Sequence, residues 1–132
     1  MTRHVTATSI QDRVDELFAD ARDMQSQAID CLDRGDVRDA AEKAWCATKR
    51  ATDGLILART GEEPVTTART TDELDGLAGL EPVAESLLGR YFSRLGQLHG
   101  ACFYDKRCNP QTERRIRETV QYISDAEILA TQ

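Results

Sequence analysis

The sequence lacks the features that mark membrane, secreted, repetitive and β-rich proteins. No apolar run approaches the roughly 18 residues that a membrane span needs, and the first ten residues lack the apolar core of a signal peptide. There is no internal repeat and no strand-like alternation, which argues against a solenoid and a β-sheet core. With 40% hydrophobic and 30% charged residues, the chain is typical of one globular, cytoplasmic domain over residues 1–132.

Cysteines are few and form no C-x-x-C pair. The four are Cys31, Cys46, Cys102 and Cys108. In a reducing cytoplasm we expect all four to be free thiols, with the first three as small core residues. His99 with Cys102 and Cys108 matches no zinc spacing and lacks an evident fourth ligand. The sequence therefore predicts neither a metal site nor a cofactor.

The net charge is −6, but it is unevenly distributed. The acidic excess is concentrated in residues 61–81, whereas residues 82–132 carry a slight excess of bases. The overall charge argues against non-specific binding to nucleic acid, yet the last third offers a local basic patch. Its candidate RNA-binding residues are Arg107, Arg114, Arg115 and Arg117. The alternative is that this basic run is a solvated helix face.

Apolar periodicity and capping residues predict five helices, over residues 9–33, 37–59, 72–80, 82–104 and 110–129. Gly35 followed by Asp36 marks a very short turn between the first two. Thr70 with Glu73 has capping-box spacing for the third helix. The fold class is all-α, an antiparallel four-helix up-and-down bundle with the third helix as a short addition.

Three further features are expected from the pattern. Residues 62–71 form the longest irregular segment and predict a mobile loop. Trp45 lies beside the alanine-rich stripe of the second helix and is expected in the core. The apolar side of the last helix is predicted from three- and four-residue spacing. Its members are Ile116, Val120, Ile123 and Ile128.

The fourth helix carries a stripe of very small residues away from its core face. The stripe consists of Gly89, Ser93, Gly96 and Gly100. Each glycine costs roughly 1 kcal/mol in a helix relative to alanine, so we expect a second subunit or a ligand to pack there. A homodimer interface is the favoured interpretation, and glycines tolerated at a free surface are the alternative.

Arg94 and His99 lie on the same predicted helix, five residues apart. On an α-helical wheel they fall near about 140° and 280°, on opposite shoulders of the core face. Both reach one site only if the arginine side chain wraps around the helix or a partner subunit closes the site.

Two stretches of the sequence carry a family resemblance. The first is residues 34–45, R-G-D-V-R-D-A-A-E-K-A-W, at the start of the second helix. The second is residues 98–104, L-H-G-A-C-F-Y, followed by a turn and a final helix. Both stretches resemble the HEPN superfamily of helical domains, and within it an archaeal group of repetitive-element proteins. The similarity covers roughly residues 20 to 130, judged by matched caps and periodicity.

The resemblance implies a homodimer and a metal-independent endoribonuclease of a toxin–antitoxin or defence system. Its Arg-x4–6-His signature corresponds to Arg94 and His99, the predicted catalytic residues. Arginine would bind the scissile phosphate and histidine would transfer protons. A cognate antitoxin or nucleotidyltransferase-like protein is then an expected partner.

Two departures from the signature keep a second hypothesis open. Leu95 follows the arginine where active members carry a polar residue, and Ala101 stands where several carry tyrosine. On this hypothesis the protein is a non-catalytic, dimeric HEPN-like module that binds a partner protein or a nucleotide.

Overall fold

The computed structural model describes residues 7–132. Five helical stretches account for most of this range, and within it no strand is present. Their bounds are α1 Ala7–Asp33, α2 Val37–Thr60, α3 Thr67–Leu80, α4 Pro82–Ser93 and α5 Thr112–Ala130, with a π-helical segment, Arg94–Tyr104, continuing directly from α4. The helices pack against one another as a bundle, which confirms the predicted all-α class.

The turns that frame α2 follow the predicted capping chemistry. Gly35 has a φ of 79°, a left-handed conformation that glycine adopts without a steric penalty. Asp36 then caps α2 by accepting a hydrogen bond from the backbone N–H of Asp39 at 3.2 Å. Gly61 ends the helix with a φ of 78° and donates its N–H to the carbonyl of Leu57. These contacts confirm α1 and α2 as a hairpin with a short turn.

Helix α2 is the central element of the bundle, in contact with α1, α3, α5 and the π-helical segment. Its alanine-rich face is fully buried, and these small side chains let neighbouring helices approach closely. Gly54 makes the tightest approach, because a Cβ built there would lie 2.8 Å from the ring of Phe18. Trp45 is also buried and meets Tyr91 edge-on at 5.4 Å, which confirms its expected place in the core.

Helix α3 begins five residues before the predicted start. Thr66 is the capping residue, since its hydroxyl accepts from the N–H of Arg69 at 3.1 Å. The predicted cap, Thr70, instead lies within the helix and donates its hydroxyl to the buried carboxylate of Asp53 at 2.6 Å. The irregular segment is therefore only residues 61–66. The prediction was wrong here because capping-box spacing does not reveal a tertiary partner.

Helix α4 continues without a break to Tyr104, as predicted, but its geometry changes at Arg94. From there the backbone is π-helical, a wider form in which each N–H bonds to the carbonyl five residues earlier. Such segments are rare and occur frequently at functional sites. Angles read from an α-helical wheel therefore do not apply beyond Arg94.

Only two of the four apolar residues predicted to face the core from α5 are buried. Ile116 and Ile123 are fully buried, but Val120 and Ile128 are 56% and 57% exposed, which corrects that prediction. The buried face of α5 includes Thr119, Tyr122, Ala126 and Leu129 instead. The polar members fit in the core because their hydroxyl groups are hydrogen-bonded. The phenol of Tyr122, for example, lies 2.7 Å from the hydroxyl of Thr52.

Cys102 and Cys108 form a disulfide, so the prediction of four free thiols was wrong for this pair. Their Cα atoms lie 4.2 Å apart, because the chain reverses after the π-helical segment through Lys106, which has a φ of 58°. Cys31 is a buried free thiol, as expected, whereas the free Cys46 is only partly buried. In the part of the chain that the structure describes, no helix has the length and apolar character required to cross a membrane.

Candidate functional site

Arg94 is the least expected member of the core. Its side chain is 3% exposed and points towards α5. The guanidinium donates to the hydroxyl of Thr119 at 2.9 Å and to the backbone carbonyls of Arg90 and Arg115, both at 3.2 Å. It also lies over the ring of Tyr122, at 5.8 Å from the centroid. All of these hydrogen-bond acceptors are neutral, and among the described residues no carboxylate forms an ion pair with the buried guanidinium.

The electrostatic environment of Arg94 opposes its charge. Burial lowers the pKa of the guanidinium by removing it from water, and the neighbouring Arg90 and Arg115 lower it further. The phenol of Tyr122 and the carboxylate of Glu118 act in the opposite direction. Arginine nevertheless stays protonated in proteins. The core here contains a cation that the fold does not neutralise.

Arg94 lines a groove between α4 and α5, which we call the arginine groove. It has a volume of about 340 Å³. Its walls contain Arg90, Arg94, Arg114 and Arg115, together with Gly89, Ser93, Glu118 and Gln121. Four cations thus face one carboxylate, in a protein whose net charge is −6. The groove is a concentrated positive site on an acidic molecule.

The basic run predicted to bind RNA is divided between two surfaces. Arg114 and Arg115 line the arginine groove. Arg117 lies outside it and forms an ion pair with Glu113 at 3.0 Å. Arg107 is highly exposed and pairs with Asp105 in the loop before α5. Only the first two share a site.

The small-residue stripe is open to its surroundings. Within the described residues, nothing lies within 4 Å of a Cβ built at Gly89 or Gly96, and a Cβ at Gly100 meets only the carbonyl of Leu95, at 3.6 Å. No contact among the described residues therefore requires glycine at these positions. Gly89 and Ser93 also line the arginine groove, whereas Gly96 and Gly100 lie in the π-helical segment, where the spacing that defined the stripe does not apply.

His99 lies in a second site, the histidine cluster, formed with Glu42, Trp45, Phe103 and Tyr104. The Nδ1 atom of His99 is 2.7 Å and 3.1 Å from the two carboxylate oxygens of Glu42 on α2. Its ring stacks with Phe103 at 6.4 Å and meets Tyr104 edge-on at 4.9 Å. His99 is partly exposed and Tyr104 is 65% exposed. A carboxylate thus orients the imidazole through Nδ1, an arrangement that leaves Nε2 as the nitrogen available for proton transfer.

A cation borders the histidine cluster, but it is Arg38 rather than Arg94. The Arg38 guanidinium lies over the ring of Phe103, at 5.7 Å from the centroid, and its Nε donates to the Phe103 carbonyl at 3.1 Å. Arg38 and Glu42 are one turn apart on α2 and therefore project from the same face. Sequence reasoning missed both residues, although their four-residue spacing in a stretch matching the resembled family was a usable signal.

Arg94 and His99 have no hydrogen-bonding or ring partner in common. The partners of Arg94 come from α4 and α5, whereas those of His99 come from α2 and from its own segment. Within one chain, the side chains of the two predicted catalytic residues therefore have different surroundings.

A sequence model of the archaeal PaREP1/PaREP8 family matches residues 16–124. Because this match covers most of the chain, the protein belongs to that family. No curated protein matches the chain, and no solved structure matches it.

Proposed function

We propose that this member of the family is a HEPN-like, metal-independent endoribonuclease in which His99, held by Glu42, transfers protons. The observation that carries the proposal is the contact of 2.7 Å between His99 Nδ1 and the Glu42 carboxylate. A histidine oriented by a carboxylate is a recurrent general acid–base arrangement. Histidine also titrates near neutrality, as the chemistry of a ribose hydroxyl requires.

The proposed reaction is an internal transesterification of RNA. His99 Nε2 accepts the proton of a ribose 2′-hydroxyl, whose oxygen then attacks the adjacent phosphorus. The bond to the 5′-oxygen breaks, and that oxygen takes up a proton from water, while the imidazolium of His99 returns its proton to the solvent. The products are a 2′,3′-cyclic phosphate and a 5′-hydroxyl. Negative charge develops on the phosphate during this step, and Arg38 is the cation placed to stabilise it.

The aromatic rings of the histidine cluster suit a single-stranded substrate. Tyr104 and Phe103 flank His99, and exposed aromatic rings provide stacking surfaces for unpaired bases. A base stacked on Tyr104 would bring its own ribose towards the imidazole. This places the proposed cleavage in loops or single strands rather than in duplex RNA.

The test is cleavage of a labelled, structured RNA by purified protein, with and without EDTA. His99→Ala should reduce the rate by about 10²- to 10⁴-fold, the usual contribution of acid–base catalysis. Glu42→Gln should lower kcat more than KM, since it disturbs the orientation of the base and not the binding of RNA. Glu113→Gln on α5 is the matched control and should keep the wild-type rate. Cleavage that survives His99→Ala would refute the proposal.

Arg94 acts in this proposal through phosphate binding, at a site apart from the reacting bond. Arg94→Ala should then raise KM with little change in kcat, because binding is weakened equally in the ground and transition states. An equal loss of kcat in the His99→Ala and Arg94→Ala variants would instead mean that the two residues act on one phosphate, one contributed by each subunit.

We propose that the active form is a homodimer joined through the stripe of Gly89, Ser93, Gly96 and Gly100. Gly96→Ala distinguishes a covered stripe from a free surface. On a free surface alanine should stabilise the protein by roughly 1 kcal/mol through helix propensity. At a close helix–helix contact the added methyl group should instead weaken the dimer, with light scattering showing a shift from about twice 14.7 kDa towards the monomer mass.

A second candidate function is a non-catalytic, dimeric HEPN-like module that binds a partner protein or a nucleotide. It is favoured by the separate surroundings of Arg94 and His99 and by the apolar Leu95 after the arginine. If the wild type cleaves none of several structured and single-stranded RNAs, this function replaces the first. The stripe and the arginine groove would then be its binding surfaces.

A further inference from the structure

The arginine groove contains hydrogen-bonding capacity that the fold does not use. A guanidinium has five N–H donors, and Arg94 commits three of them, all to neutral oxygens. A buried charge without a counter-charge is costly unless something compensates for it. Two N–H donors of Arg94 remain for another acceptor, and Arg94 is one of the residues that line the groove.

Arg115 adds a second uncommitted guanidinium to the same groove. Its side chain makes no hydrogen bond or ion pair in the part of the chain that the structure describes, and its buried Nη1 atom has no partner. The other two arginines are partly neutralised. Arg90 pairs with Asp125 at 2.8 Å, and Arg114 reaches Glu118 at 3.5 Å. The positive charge in excess therefore belongs to Arg94 and Arg115.

We infer that the arginine groove is a binding site for a phosphate group. The planar fork of arginine matches phosphate oxygens in pairs, which favours phosphate over a simple halide. On the α4 side of the groove, Gly89 and Ser93 have very small side chains, so a ligand can approach the helix backbone there. The phosphate belongs either to the backbone of single-stranded RNA or to a free nucleotide. Binding here does not require cleavage at His99, so the inference stands or fails separately from the proposed activity.

Two substitutions on α5, which are expected to change the binding affinity in opposite directions, test the proposed site. Arg115→Gln removes an uncommitted guanidinium and should weaken phosphate-ligand binding by roughly tenfold to a hundredfold, the value of a charged hydrogen-bonded contact. Glu118→Gln removes the one carboxylate that lines the groove and should strengthen binding several-fold. Their matched controls are Arg117→Gln and Glu113→Gln, which make the same charge changes on the same helix outside the groove. Each control should change the affinity less than twofold.

Binding is measured by fluorescence anisotropy with a labelled single-stranded RNA, and by calorimetry with pyrophosphate and with a nucleoside triphosphate. RNA binding that pyrophosphate displaces identifies the backbone as the ligand. For RNA, the slope of log K against log salt should become less negative by about 0.7 in Arg115→Gln. Saturable binding of the triphosphate without RNA binding identifies a nucleotide. Binding of none of the three, or equal effects of Arg115→Gln and Arg117→Gln, would overturn the inference.

Discussion

Replacement of Arg94 by methionine should make the protein more stable. Methionine is close to arginine in length and helix propensity but carries no charge. The two backbone carbonyls that lose a hydrogen bond from the arginine side chain keep other donors. The Arg90 carbonyl also accepts from the backbone N–H of residue 94, and the Arg115 carbonyl accepts from the Thr119 hydroxyl. The substitution therefore leaves neither of these buried carbonyls without a hydrogen bond.

The expected gain follows from the cost of the buried charge. Removing an ion from water costs several kcal/mol even after the surroundings relax, and apolar residues of similar volume often replace buried ionic groups with a gain of about 1–4 kcal/mol. The neutral acceptors of Arg94 recover only part of this cost, because none of them carries an opposing charge. Because the hydrogen bonds that Arg94 donates are lost, we expect a gain in the free energy of unfolding at the low end of this range, about 1–2 kcal/mol. In thermal unfolding this corresponds to roughly 4 °C per kcal/mol.

The assay is urea unfolding in a chloride buffer without phosphate, with Arg90→Met as the control one helical turn earlier. Arg90 has a carboxylate partner, Asp125, and both side chains are one-third exposed. Its loss should therefore lower the free energy of unfolding by less than about 1 kcal/mol. A fall of more than 1 kcal/mol in Arg94→Met would refute the reasoning. It would show that Arg94 stabilises the fold, and the groove would lose its strongest argument.

Three further predictions concern packing and pH. Gly54→Ala should destabilise the protein by about 1–2 kcal/mol in chemical unfolding, because a methyl group 2.8 Å from the Phe18 ring outweighs the gain in helix propensity. Glu63→Gln should lower stability above pH 4.5 but not in acid: hydrogen bonding from Arg13 lowers the pKa of Glu63, so that its contribution is lost as the pH falls. Asp53→Asn should show the opposite pH dependence, so that the variant gains stability relative to the wild type as the pH rises above 3.8. Burial raises the pKa of Asp53, and ionisation of its carboxyl group therefore disfavours the folded state. Urea unfolding at several pH values tests both, and a pH-independent difference would contradict either.

Local chemistry in the sequence predicts most of the helical framework. Asp36, Gly35 and Gly61 determine their turns through contacts with residues three to five positions away, so their roles can be inferred without the fold. Thr66 and Thr70 show where such inference fails. Both are threonines before a helical stretch, and only the buried carboxylate of Asp53, 17 positions from Thr70, decides which one caps the helix.

The candidate site was harder to predict, because its contacts join residues far apart in sequence. Spacing on one helix identified Arg94 and His99, but their partners are Thr119 and Glu42, at separations of 25 and 57 residues. Wheel analysis also assumed α-helical geometry throughout, and periodicity contains no signal for the switch to a π-helix at Arg94. The Cys102–Cys108 disulfide likewise depends on a chain reversal after the helix rather than on a spacing motif.

The two sites differ in what the fold alone can explain. The histidine cluster is internally complete, since the Glu42 carboxylate contacts His99 Nδ1 at 2.7 Å and the aromatic rings pack around the imidazole. The arginine groove is not complete, because Glu118 is the one carboxylate among its lining residues and pairs with Arg114, which leaves the positive charge of Arg94 and Arg115 uncompensated. Residues that stabilise only the fold seldom leave such a charge uncompensated, whereas binding sites often do so at the expense of stability. Of the two sites, the arginine groove is therefore the more selective for its ligand, which must be negatively charged.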